Sequence, residues 1–300
     1  MRRKTILIGL ALFMLVVGYS QVTLAEDFTY TMPMLRMGVG ARALAMGGAY
    51  VAVANDATAG YWNPAGLSQI EKVSFASMIA ANMTADRKYN YLAIAGKFNF
   101  GSLGFSWLNS GTSDIAGYSG SATPTGDFGF NDHVFLFSYG NALEKLQVGF
   151  NFKVIHSRAD ATKSYSATGV GFDAGVIFKI DDKVHLGVTA SDLGTKIDGE
   201  DVAANFRVGV AMYPVEGFTI PLDIEKTQNM SEIKLRTGAE YSYQFADDYF
   251  AAMRAGVNDG NFAIGVGLTI MTRYAIDYAY VSEQGDVFEE NHRISVSVNW

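Results

Sequence analysis

Six ionisable side chains in the second half of the chain have the types and spacing to form ion pairs across a β-sheet. They alternate with apolar residues, so in strands they would share one face. Opposite charges on neighbouring strands attract when they point the same way. The six are Asp223, Glu225, Lys234, Arg236, Glu240 and Arg254. Two interpretations are open, namely a structural ion network that closes a lumen or holds a plug, and a polar path that selects a substrate.

The residue types used for catalysis or metal binding form no recognisable pattern in this sequence. The chain has no cysteine, and its four histidines lie far apart without metal-ligand spacing. His156 precedes Ser157, but adjacency in sequence does not make a catalytic pair. We therefore predict no catalytic residues, no metal site, no cofactor and no enzymatic activity.

Residues 1–25 have the three parts of a secretory signal peptide. Arg2, Arg3 and Lys4 precede an apolar stretch over 6–17, and small residues surround Ala25. The alternative is a transmembrane helix, but this stretch is too short to span about 30 Å of hydrocarbon. Cleavage after Ala25 would remove three of the 23 basic residues and none of the 30 acidic ones. The acidic excess argues against a nucleic-acid partner.

From residue 72 onward, fourteen segments have the strand character of alternating apolar and polar residues. The alternation is clearest over 146–157 and 261–270. The predicted strands are 72–83, 89–100, 102–109, 129–140, 146–157, 167–180, 184–191, 204–213, 218–226, 232–243, 249–258, 261–270, 273–282 and 292–300.

The connections between these segments alternate in length, which favours a membrane barrel over its rival, a large soluble β-sandwich. Short connections such as 101–102 alternate with longer ones such as 110–128 and 283–291. Outer-membrane barrels have short periplasmic turns and longer outside loops. The sequence therefore predicts an all-β fold, a 14-stranded antiparallel transmembrane outer-membrane β-barrel over 72–300. Both termini would be periplasmic, in a diderm (Gram-negative-type) bacterium.

The last predicted strand ends on an aromatic residue and has one apolar face. This face is formed by Ile294, Val296, Val298 and Trp300. The pattern resembles the recognition end of bacterial outer-membrane barrels. The resemblance implies the barrel-assembly machinery and outer-membrane lipid as partners.

Residues 26–71 differ from the rest because they are rich in Ala, Gly and Met and lack strand periodicity. A fourteen-stranded barrel encloses a lumen wide enough to need filling, and small residues suit a confined space. Gly47 and Gly48 allow a sharp reversal, Asp56 is placed to cap a helical turn, and Pro64 holds Asn63 extended. We predict an N-terminal hatch inside the barrel over 26–71. Its motif residues are Gly47, Gly48, Asp56, Trp62, Asn63, Pro64, Ala65 and Gly66.

Five larger side chains of the predicted hatch have two open roles. They either line a site for an apolar ligand or pack the hatch against its surroundings. The five are Met32, Met34, Met37, Tyr61 and Trp62.

This region resembles the PorV/PorQ family of outer-membrane proteins, which belong with the FadL-like barrels. The resemblance rests on the segments 40–43 (GARA), 46–49 (MGGA), 56–59 (DATA) and 62–67 (WNPAGL). The PorV/PorQ likeness implies an accessory of type IX protein secretion, with secreted cargo or secretion components as partners. The Asn-Pro-Ala-Gly element, shared with FadL-type transporters, implies the alternative of passive uptake of hydrophobic small molecules. A purely structural envelope barrel is a third interpretation.

Overall fold

The computed structural model describes residues 32–81, 87–118, 124–160, 164–282 and 291–300. The predicted signal peptide and residues 26–31 of the predicted hatch lie outside the described residues. In the described part the strands are β1 (Val73–Ala81), β2 (Lys88–Phe98), β3 (Gly101–Tyr118), β4 (Pro124–Leu143), β5 (Leu146–Asp160), β6 (Tyr165–Asp181), β7 (Val184–Ile197), β8 (Glu200–Asp201), β9 (Asn205–Met212), β10 (Phe218–Thr227), β11 (Ile233–Ala246), β12 (Tyr249–Asn258), β13 (Asn261–Ile270), β14 (Tyr274–Val281) and β15 (Asn291–Asn299).

Fourteen of these strands form one closed antiparallel ring. Each wall strand pairs with its neighbours along the chain, and β1 pairs with β15 to close the ring, as in the partnership of Phe75 with Val298. The two-residue β8 pairs only with the end of β7, so β7 and β9 are the neighbours in the wall. The predicted fourteen-stranded antiparallel barrel is confirmed, and each predicted segment corresponds to one wall strand.

Three wall strands, β3, β4 and β7, extend well beyond their predicted bounds. β4 begins at Pro124, five residues before its predicted start, and pairs there with the extension of β3. Local irregularities interrupt the alternation of β3 and β7. β3 continues to Tyr118, and its register with β4 shifts between Thr112 and Ile115. β7 continues to Ile197, and its register with β6 shifts three times. Extra residues at such bulges put neighbouring side chains out of phase, so a search for period-two alternation stops there.

The two faces of the wall differ in chemistry. On β13, Ile264, Val266 and Leu268 point outward and are exposed, while the alternate residues Ala263 and Gly265 face the interior. The same apolar outer face runs round the ring. Exposed aromatic residues lie at the end of the barrel that carries the short turns, including Phe100, Tyr243, Tyr249, Tyr274 and Trp300. Within the described residues, no helix has the length and apolar character needed to cross a membrane.

The N-terminal segment, residues 32–70, lies inside the ring. Its backbone or side chains bond to strands on different sides of the wall, at Val176 of β6, Asp223 of β10 and Ser295 of β15. Its helical turns are Pro33–Arg36, Ala41–Ala45, Ala59–Trp62 and Pro64–Gln69. Helices this short are unstable alone, so packing against the wall must stabilise them.

Candidate functional site: a two-faced cavity inside the barrel

A row of wall glycines receives the N-terminal segment at residues 63–65. Gly140, Gly149 and Gly175 are register partners on β4, β5 and β6. A Cβ atom on Gly149 would lie 2.1 Å from the backbone nitrogen of Ala65, and one on Gly175 would lie 2.1 Å from Oδ1 of Asn63. The segment therefore rests directly on the wall backbone, in what we call the first glycine notch (Gly140, Gly149 and Gly175).

Asn63 is the anchor in this notch. Its backbone is extended, with φ −161° and ψ 105°, as predicted for a residue before proline. The fully buried side chain accepts from the Ala65 amide at 3.1 Å and donates to the Val51 carbonyl at 2.8 Å and the Val176 carbonyl at 3.1 Å. One side chain thus joins two parts of the segment to β6.

A second glycine notch, Gly238 and Gly256, lies on the far side of the ring. These two glycines are register partners on β11 and β12. A Cβ atom on Gly256 would lie 2.2 Å from the backbone nitrogen of Gly47, and one on Gly238 would lie 2.6 Å from the Met46 carbonyl oxygen. Gly47 and Gly48 have φ of +68° and +71°, so the chain reverses here as their sequence predicted.

Asp56 and Trp62 fix the turn between the two notches. Thr58, not Asp56, directly precedes the Ala59–Trp62 helix. Oδ1 of Asp56 accepts from the Thr58 amide at 2.8 Å, so Asp56 shapes the approach to the helix and is not its N-cap. The indole of Trp62 donates to the Val39 carbonyl at 2.9 Å, and the Arg207 guanidinium lies 5.3 Å from its ring centroid.

The predicted interior charges of β10, β11 and β12 face the lumen, and two carboxylates each bind two arginines. Glu225 accepts from Arg207 at 2.6 Å and Arg236 at 2.9 Å. Glu240 accepts from Arg254 at 2.5 Å and from Arg42 of the N-terminal segment at 2.7 Å. Pairing between neighbouring strands is therefore present, and an arginine of the N-terminal segment takes part in it.

Three predicted charges have other positions or partners. Asp223 is fully buried and accepts from the backbone amides of Tyr50 at 2.8 Å and Val51 at 3.1 Å. Lys234 is half-buried and is the register partner of Glu225. Arg254 also donates to Asp277 at 2.7 Å. Asp223 therefore holds the N-terminal segment by its backbone, which the residue pattern did not predict.

A third ion cluster lies on β5, β6 and β7. Asp192 accepts from Arg36 at 2.5 Å and also pairs with Lys153, which binds Asp173 at 2.9 Å. Asp192 has φ +60° at an irregular point of β7. The sequence assigned residue 192 to a loop, so its role in the lumen was not predicted.

An apolar patch covers the inner wall of β2 to β5, opposite the charged strands. Tyr91, Leu108, Val134 and Ile155 are consecutive register partners, and all are buried, as is Leu136. This inner apolar patch (Tyr91, Leu108, Val134, Leu136 and Ile155) was not predicted from the sequence. The available signal was the run 134–137, in which apolar residues fall on both faces.

A cavity of about 30 Å³ separates this patch from the N-terminal segment. On its apolar side, Leu35, Tyr61 and Trp62 of the segment face Leu108, Val134 and Leu136 of the wall. Its polar side is formed by Arg36, Lys153, Asp173, Thr189, Ser191, Asp192, Asn205 and Arg207. The volume suits one or two water molecules.

The five predicted ligand-lining residues divide into two groups. Tyr61 and Trp62 border the cavity, while Met32, Met34 and Met37 do not. The Tyr61 hydroxyl donates to the Leu35 carbonyl at 2.8 Å and accepts from the Gly38 amide at 2.9 Å. Burial raises the pKa of Tyr61, so the phenol stays protonated and able to donate.

The closing strand presents its predicted apolar face to the outside. Ile294, Val296 and Trp300 are exposed, and Ser295 points inward to the Ala41 amide at 2.8 Å. The role of this strand as an assembly signal stays a prediction.

No family model and no curated protein matches this chain. Solved structures with the same fold include two toluene transporters and a FadL homologue. The toluene transporter TbuX of Ralstonia pickettii has 12% identity and a TM-score of 0.67, with 88% of this chain and 98% of that chain covered. The toluene transporter TodX of Pseudomonas putida has 14% identity and a TM-score of 0.66, covering 88% and 99%. A Pseudomonas aeruginosa FadL homologue has 11% identity and a TM-score of 0.55, covering 85% and 96%.

The fold is thus the one found in the two toluene transporters and the FadL homologue. At 11–14% identity the likeness concerns the fold alone. The resemblance to the PorV/PorQ family has no supporting family match and stays a prediction from the sequence.

Proposed function

We propose that this protein is a non-enzymatic outer-membrane channel for the passive transport of small apolar molecules. The observation that carries the proposal is the inner apolar patch facing Leu35, Tyr61 and Trp62 across a cavity. Apolar side chains that line an interior beside a network of ion pairs suit a ligand that avoids water. The fold shared with toluene transporters supports the same conclusion.

This proposal replaces the secretion-accessory interpretation that the sequence had favoured. In that role, the protein would present a loop or lumen surface to protein cargo. The described residues offer no observation that favours such a surface over the apolar cavity. The apolar small molecule is accordingly the proposed partner, together with the outer-membrane lipid around the apolar outer face.

We further propose that residues 26–71 act as a hatch, with both termini periplasmic. The two glycine notches and the Arg42–Glu240 ion pair support a tight fit of this segment in the lumen. A cavity of about 30 Å³ is too small for an aromatic ring. Entry of a ligand therefore requires the Pro33–Arg36 turn to shift, which would break the Arg36–Asp192 ion pair and the hydrogen bond from Tyr61 to Leu35.

The test is to fill the cavity and measure uptake. Leu108 faces the cavity, whereas Leu103 on the same strand faces outward and is exposed. In cells of a diderm host without its own hydrophobic transporter, we expect Leu108→Trp to lower the uptake rate of radiolabelled toluene at least about tenfold. Leu103→Trp, the matched control, should leave uptake within about twofold of the parent protein.

Resistance of the folded barrel to unfolding in SDS at room temperature checks that both variants assemble. Equal uptake by folded Leu108→Trp and the parent protein would contradict transport through this cavity. The proposal would also be contradicted if uptake by cells with the parent protein did not exceed uptake by cells with an empty vector.

A further inference from the structure

We infer that the ligand of this cavity is an uncharged molecule with a compact apolar body and one hydrogen-bonding group. The inference rests on the proposed transport function and deepens it by naming the class of ligand. Such a ligand differs from a plain hydrocarbon, which needs no polar contact, and from an ionised acid, which needs an excess of positive charge in its site.

The cavity has one apolar side and one polar side. Leu108, Val134 and Leu136 form one side, while Thr189 and Arg36 lie on the other. A hydrocarbon in this space would cover polar groups without satisfying their hydrogen bonds, which is unfavourable. A molecule with one polar end can place its apolar body against the wall patch and its polar end on the opposite side.

The charges near the polar side of the cavity balance one another. Three cations border the polar side, namely Arg36, Lys153 and Arg207, and Arg236 shares Glu225 with Arg207. These four cations are matched by the anions Asp173, Asp192, Glu225 and Asp223, the register partner of Arg236. Ion pairs join most of these groups directly. An anionic head group would add a buried charge to a set that is already neutral, and such a charge is costly without a new partner.

Two polar groups on this side lack hydrogen-bond partners among the described residues. Nε of Arg36 is buried and has no hydrogen-bond partner among the described residues. The hydroxyl of Thr189, a residue that is 4% exposed, makes no hydrogen bond within the same part of the chain. Both residues border the cavity. A ligand hydroxyl can accept from Nε and bond to the threonine hydroxyl, so it satisfies groups that the protein leaves open.

The experiment compares three probes with the same ring, namely p-cresol, toluene and benzoate. At pH 7 a phenol is uncharged, because its pKa is about 10, whereas benzoate is ionised. Isothermal titration calorimetry on the purified full chain in detergent gives the dissociation constants. We expect p-cresol to bind at least about tenfold more tightly than toluene and benzoate.

Two near-isosteric variants locate the polar contact. Thr189→Val removes the unpartnered hydroxyl. The ratio of the dissociation constants of toluene and p-cresol should fall at least about fivefold, while the affinity for toluene stays unchanged. Thr195→Val is the matched control, since Thr195 lies on the same strand and is equally buried but does not border the cavity. It should leave the preference unchanged.

The outcomes separate this inference from the transport proposal. Toluene binding as tightly as p-cresol, benzoate binding most tightly, or an unchanged preference in Thr189→Val would each overturn the inference. Toluene uptake that depends on Leu108 would still stand in those cases. Failure of all three probes to bind would overturn both.

Discussion

Glu225 is one of two lumen carboxylates that each bind two arginines. Its carboxylate accepts from Arg207 at 2.6 Å and from Arg236 at 2.9 Å, and all three side chains are nearly inaccessible to solvent. Glu225 thus separates two cations that would otherwise face each other in the lumen. Removing one member of a buried ion pair leaves an uncompensated charge, which costs much more than losing a surface pair.

Glu225→Gln is therefore expected to lower the free energy of unfolding by about 3–5 kcal/mol. The control is Asp160→Asn, which breaks the exposed pair of Arg158 with Asp160 and should cost less than about 1 kcal/mol. Guanidinium titration of both variants in lipid vesicles, followed by tryptophan fluorescence, measures the difference. Equal midpoints for the two variants would show that the lumen is hydrated enough to screen the arginines.

The sequence predicted the direction of these charges but not all their partners. Period-two alternation places Glu225 and Arg236 on the inner face, and the register makes Lys234 the direct partner of Glu225. The carboxylate nevertheless bonds to Arg236 and Arg207, because long side chains reach diagonally across strands. Arg36 and Arg42 were not predicted as partners, since they come from a segment without periodicity.

At the scale of the elements, the glycine notches set how closely the N-terminal segment approaches the wall. Gly149→Ala would place a methyl group 2.1 Å from backbone atoms of the segment, and backbone cannot rotate away as a side chain can. We expect a loss of about 1–3 kcal/mol in unfolding free energy, the usual cost of overpacking. Faster proteolysis of the segment in the intact barrel should accompany it.

Gly96→Ala is the matched control for this substitution. Gly96 lies on β2, and its added methyl group would meet only ordinary contacts at 3.6 Å or more. The stability and the proteolysis rate of this variant should equal those of the parent protein. If the two variants behaved alike, the notch would not be a contact that holds the segment.

The strands were predictable because most expose one apolar face and enclose one polar or small face. β12 and β13 match their predicted bounds for this reason. The run 134–137 in β4 has apolar residues on both faces of the strand. One face of the strand points outward, and the other points to the cavity. Alternation therefore located the strand but gave no sign that its inner face belongs to a candidate site.

At the scale of the whole molecule, the apolar outer face predicts a dependence on depth in the membrane. Val266 is exposed in the middle of β13, and Phe245 is exposed near the turn end of β11. Val266→Arg should cost about 2–4 kcal/mol in lipid vesicles, and Phe245→Arg about 0–1 kcal/mol. Chemical denaturation of the two variants in the same vesicles provides the measurement. A larger loss for Phe245→Arg would place the hydrocarbon region elsewhere on the barrel.

The docking of the N-terminal segment also has a consequence for the order of folding. The amide of Ala41 bonds to Ser295, 254 positions further along the chain, and the two notches lie on β4 to β6 and on β11 and β12. These docking points come from strands synthesised well after the segment itself. Contacts of such high contact order form slowly. The N-terminal segment, although it is made before any wall strand, is therefore among the last parts of the barrel to reach its final position, and its docking marks the completion of the ring.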